Sequence, residues 1–74
     1  MAYDYSKLRG RIVEKYGTQK KFATAMGWSE RTLSLKLNGF VFWKQHEISQ
    51  AMELLNIEES SINDYFFTQI VQFN

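Results

Sequence analysis

The 74-residue chain contains no cysteine and no proline. The first absence removes disulfides, thiolate metal sites and cysteine nucleophiles together, so the fold must hold through packing alone, as suits a reducing cytoplasm. The second removes the strongest helix breaker; with no linker-like run or internal repeat either, the chain reads as one compact, mostly helical unit. No stretch approaches the roughly 18 apolar residues of a membrane span, and the polar start MAYDYSKLRGR lacks the apolar centre of a signal peptide. His46 is the single histidine, so a metal site would need several carboxylates to converge. A Gly-rich phosphate loop and a nucleophile-base pair are missing too. The expectation is a cytoplasmic binding protein with no metal, cofactor, small-molecule ligand or catalysis.

What is present is apolar and aromatic. Hydrophobic residues make up 45% of the chain and aromatics 16%, well above a disordered composition. A chain of this size supports a single core that removes roughly 60% of its accessible surface from water. The net charge of +1 conceals a strong segregation. Residues 1–44 hold all nine basic residues against three acids, a balance of +6, whereas residues 45–74 hold five acids and neither Lys nor Arg, a balance of −5. Such asymmetry points to a polyanionic partner for the basic part or to a merely solvated face.

The periodicity predicts five helices. Asp4 is placed to cap the first and Gly17 to end it, with Tyr5, Leu8, Ile12 and Tyr16 at helical spacing between them. Gly10 costs that helix about 1 kcal/mol relative to Ala and reads as a mark of close helix approach. Thr18 caps a second helix over QKKFATAM, Gly27 stops it, Ser29 caps a third over Glu30 to Leu37, and Asn38-Gly39 breaks that one. A fourth, near Gln45 to Leu55, carries Ile48, Ala51, Met52 and Leu55 on one stripe, although Lys44 stands where a Ser or Thr cap is expected. A fifth begins around Ser60 or Ser61 and includes Ile62, Tyr65 and Phe66; the tail TQIVQFN permits an extended segment.

Two short helices with a glycine in the turn let the second one protrude. The major groove of B-DNA, about 12 Å wide, admits such a helix. TQKKFATAMGWSERTLSLKLNG, Thr18 to Gly39, resembles the helix-turn-helix of the phage Cro and C1 repressor superfamily, the XRE-type family. The Thr-Gln start, Phe22-Ala23, Gly27, Ser29, Thr32-Leu33 and Asn38-Gly39 carry the resemblance, which is strongest toward small phage repressors of Gram-positive hosts. It implies an all-α, five-helix, lambda-repressor-like domain over residues 1–66, with 67–74 as a short C-terminal tail.

The resemblance also implies roles. Glu30, Arg31, Ser34 and Leu35 become base readers, with the Arg31 guanidinium suited to guanine O6 and N7 and Leu35 to a thymine methyl. Gln19, Lys20, Lys21, Thr32, Lys36, Asn38 and Lys44 become phosphate contacts. One departure stands out: many relatives bury the residue three positions after Leu33, and here that position is Lys36, which predicts a slightly rolled helix with Lys36 outside the core.

The apolar run Phe40, Val41, Phe42, Trp43 either folds back as core or forms a two-fold interface. Ile70, Val71 and Phe73 in the tail raise the same choice. The expected function is a double-stranded DNA-binding transcriptional regulator, a Cro-like repressor occupying an operator as a homodimer. The alternative is a protein-interaction module, antirepressor or antitoxin-like, on the same fold.

Overall fold

The computed structural model describes residues 3–70. Their helices are α1 (Ser6–Tyr16), α2 (Gln19–Met26), α3 (Glu30–Leu37), α4 (Gln45–Leu55) and α5 (Ile62–Phe66), the last preceded by a 3₁₀ turn over Glu59–Ser61. Strand pairing among the described residues is limited to one antiparallel bridge between Tyr3 and Gln69. The fold class is all-α.

Side-chain oxygens start the helices where hydroxyls were expected. Thr18 Oγ1 accepts the Lys21 amide at 3.2 Å and Ser29 Oγ accepts the Thr32 amide at 3.1 Å, each satisfying a donor that a helix start leaves orphaned. Asp4 acts one position earlier than a simple cap. Its Oδ1 accepts the Ser6 hydroxyl at 2.6 Å and the Ser6 amide at 2.8 Å, and these two bonds hold its carboxyl below the ordinary value.

Three helices end in the same way. The Trp28 amide reaches back to Ala23 O at 2.8 Å, Phe40 to Leu35 O at 2.9 Å and Ile57 to Met52 O at 2.9 Å, the long bond of a Schellman motif. Each needs a left-handed residue just before it, supplied by Gly27 (φ 79), Gly39 (φ 80) and Asn56 (φ 53). These stops turn the chain back within two or three residues, so consecutive helices must pack on one another.

The core forms where the helices meet. α1 packs on α2, α4 and α5, and α2 packs on α3 and α4. Leu8, Ile12, Phe22, Leu33, Leu55 and Phe66 are fully buried at the centre. Burial of each such side chain contributes about 1.5 to 3 kcal/mol.

Two arginines of α1 stitch the ends of other helices to it. Arg11 Nε donates to Leu55 O at 2.9 Å, and Arg9 Nη2 donates to Leu37 O at 2.8 Å and to Asn38 Oδ1 at 2.7 Å. Each places a cation at a helix C-terminus, where the macrodipole favours it by about 0.3 to 1 kcal/mol. The chain ends are also joined. The Asp4 amide donates to Thr68 O at 2.7 Å, and the rings of Tyr3 and Phe67 meet edge to face at 5.7 Å. Thr68 and Gln69 thus return along the N-terminal segment of their own domain, in the extended form the tail composition permits.

Gly10 corrects an expectation. It lies exposed in the middle of α1, and a Cβ added there meets no atom within 4 Å, so it marks no close helix approach. Gly10→Ala is therefore expected to stabilise the fold by about 1 kcal/mol through helix propensity and a less flexible unfolded chain, read as a rise in midpoint at unchanged m-value in urea unfolding.

Candidate interaction site around α3

The short turn Gly27 to Ser29 sets α3 against α2, and Leu33 and Leu37 hold it on the core. That arrangement leaves Glu30 and Arg31 exposed at its start, with Lys20 and Lys21 exposed on α2. Among the described residues Glu30, Arg31, Lys20, Lys21 and Lys44 form no ion pair. Glu30 sits in the first turn of α3, where its charge also complements the helix dipole.

Other residues assigned to a nucleic-acid face have protein partners. Asn38 Oδ1 accepts from Arg9 while its Nδ2 donates to Ser34 Oγ at 3.2 Å. The Thr32 hydroxyl lies 3.0 Å from Ser29 Oγ and is half-buried, as are Ser34, Leu35 and Gln19. Leu35 does not belong to the core cluster, and its carbonyl receives the amides of Phe40 at 2.9 Å and Val41 at 3.3 Å.

Lys36 overturns its expected placement. It is buried, with a relative exposure of 4%, and therefore lies inside the core rather than on a phosphate-contacting face. Its ammonium donates to Glu47 Oε1 at 2.9 Å and to the Phe42 carbonyl at 3.0 Å, and stands 5.1 Å from the centre of the Trp28 ring. A phosphate contact would require this set to be broken. α3 is accordingly not rolled: the position three after Leu33 faces inward, and an ion pair fills it.

Glu47 is the member of this site that sequence reasoning missed. Its Oε1 also accepts the Lys44 amide at 2.9 Å, so the third residue of α4 caps that helix backward. This answers the missing Ser or Thr at position 44. Burial by itself raises the Glu47 carboxyl, but the Lys44 amide, the Lys36 ammonium and the neighbouring charges of Lys36 and His46 outweigh it and hold the group below its ordinary 4.5.

The apolar loop divides. Phe40 is 77% exposed and Phe42 86%, with Val41 also exposed. Trp43 turns inward against Phe66 (ring centres 5.2 Å apart), Trp28 (5.5 Å) and Tyr5 (6.4 Å), and its indole Nε1 is buried without an acceptor. Trp43 is thus part of the domain's own packing. Ile70 is exposed, and Val71 and Phe73 lie outside the described residues. Trp43, Ile48, Ile62 and Phe67, with Gln45 and Ser49, line a mostly apolar groove. Among the described residues no group of three or more His, Asp or Glu side chains is placed to hold a metal ion, and no helix is long and apolar enough to cross a membrane.

Residues 1–69 match a family described as "Protein of unknown function (DUF739)". The chain belongs to the DUF739 family. Among solved structures it is similar to the solution structure of the modulator of repression (MOR) of the temperate bacteriophage TP901-1 from Lactococcus lactis. Identity to that protein is 54%, 97% of each chain is covered, and the TM-score is 0.81. No match is found among curated proteins. A near relative of this DUF739 protein is therefore a phage regulatory protein.

The ion pair carries a pH signature. A carboxyl whose folded pKa lies below its unfolded value contributes stability that is present above the unfolded value and lost as pH falls through the folded one. Thermal unfolding from pH 6 down to pH 3 should show the wild type losing its advantage over Glu47→Gln below about pH 4.5, with Asp4 common to both chains. Lys36→Met alone should cost about 3 to 5 kcal/mol at pH 7, because it leaves a buried carboxylate without its partner.

Proposed function

We propose that this chain regulates phage gene expression by modulating a repressor, and that it does so by binding the repressor protein through the surface formed by α3 and the Phe40–Phe42 loop. The observation that carries the reading is 54% identity over almost the full length to a phage modulator of repression. The chemistry of the loop supports it. Two phenyl rings standing in water beside a rigid helix are an association liability in a monomer and are suited to fill pockets on a protein partner. The exposed mixed charge at the start of α3, Glu30 and Arg31, adds polar groups to the same surface. Such a role needs binding and no catalysis.

A second reading is direct occupation of an operator by α3, as a Cro-like homodimer with half-site centres about 34 Å apart. It is supported by the exposed Arg31 in the first turn of α3 and the exposed Lys20 and Lys21 in the first turn of α2. The pairing of Lys36 with Glu47 and of Arg11 with Glu14 weakens it by subtracting from the field that would attract phosphates, and the ties on Asn38 engage the amide that would meet one.

One experiment separates the two, using purified repressor and operator duplex of phage TP901-1 as the surrogate partners. On the first reading the chain changes repressor occupancy of labelled duplex without shifting the duplex itself, Phe42→Ala weakens this effect tenfold or more, and Arg31→Ala weakens it less. On the second the chain alone shifts duplex DNA with steep salt dependence, and Arg31→Ala costs about 1 to 3 kcal/mol at one base pair. No effect on the repressor-operator complex, together with no shift at low salt, would defeat both.

A further inference from the structure

A buried lysine-glutamate pair is a poor device for stability, since apolar residues of similar volume in its place are often neutral or stabilising. What methyl groups could not do here is bond to the backbone. The Lys36 ammonium holds the Phe42 carbonyl at 3.0 Å, and the Glu47 carboxylate holds the Lys44 amide at 2.9 Å. These two backbone groups flank Trp43 on either side. The ions that hold them are 2.9 Å apart and belong to α3 and α4.

We propose that Lys36 and Glu47 are positioning residues for the interaction surface: by bracketing Trp43 they fix its ring inward and hold Phe42 outward beside α3. The exposures divide at that point, with Phe42 86% exposed and Trp43 packed on Phe66 and Trp28. The hold extends to the α2–α3 turn, because the same ammonium faces the Trp28 ring that touches Trp43. Toward its N-terminal side the loop is tied to the end of α3 by the Phe40 and Val41 amides on Leu35 O, after the Gly39 amide on Lys36 O. Loss of the Lys36 bond thus frees Phe42 while α3 keeps its end. The link to binding rests on the proposed contact of this loop with a repressor; the link to loop pose does not.

The test is a Lys36→Met, Glu47→Leu double variant of the full chain, compared with wild type by thermal unfolding and by ¹⁵N relaxation. The expected result is a melting temperature close to wild type, with order parameters at Val41, Phe42 and Trp43 falling from about 0.85 to below about 0.6. If the double variant does not fold, Lys36→Met combined with Glu47→Gln serves. The glutamine's amide oxygen still accepts from Lys44, so Lys44 stays ordered while Phe42 and Val41 loosen. Unchanged order parameters across the loop in the folded variant would overturn the proposal. Affinity for the TP901-1 repressor, measured on the same sample, is expected to fall at least tenfold. Loosened order parameters with unchanged affinity would support the positioning role and remove the loop from the repressor contact.

Discussion

The ammonium of Lys36 and the carboxylate of Glu47 meet at 2.9 Å in a part of the molecule that solvent scarcely reaches. Neither charge could occupy its place alone, because an unpaired ion in such surroundings costs several kcal/mol. The second hydrogen bond of each ion therefore matters as much as the pair itself. Through those bonds the chain obtains the start of α4, the path of the α3–α4 loop and the inward turn of Trp43 from one interaction. The ring cluster of Trp43 with Tyr5, Trp28 and Phe66 then couples this corner to the N-terminal segment and to α5.

Charge in this protein is used differently from the way its distribution along the chain suggests. Of the nine basic residues in the first 44, Arg9 and Arg11 bond to the final carbonyls of α3 and α4, and Lys36 is consumed by Glu47. Among the described residues Arg31 on α3, Lys20 and Lys21 on α2 and Lys44 before α4 form no ion pair. A surface with this residual charge and two projecting phenyl rings has the composition of a protein-binding patch as much as of a phosphate-binding one.

The four longest helices were legible from apolar stripes, and three of them also from local chemistry at their ends. Thr18 and Ser29 are hydroxyl caps, Gly17, Gly27 and Gly39 are stops, and the apolar stripes between them need no distant information. Lys36 was not legible in that way. A lysine at an inward helical position reads as a departure until a carboxylate is found to meet it, and Glu47 lies 11 residues on in another helix. The signal available was the coincidence of two anomalies, an ion at a core position and a helix without a hydroxyl cap, which a single glutamate resolves. The loop Phe40 to Trp43 was ambiguous for the same reason. Four apolar residues in a row carry no period, and only the backbone bonds to Lys36 and Glu47 decide which ring goes in.

The pairing of Tyr3 with Gln69 and of the Asp4 amide with Thr68 closes a ring of some 65 residues. Every helix lies within that ring, and each is bounded by contacts between near neighbours in sequence. The clasp joins the two ends of the described segment, and its entropic cost falls on a chain whose helices are already shortened into a compact string. It follows that the two ends of the described segment are adjacent. A few added residues could join Tyr3 to Gln69 and make the backbone continuous, with new termini opened at an exposed turn such as Gly17, so that the order in which the helices are written is separable from the way they pack.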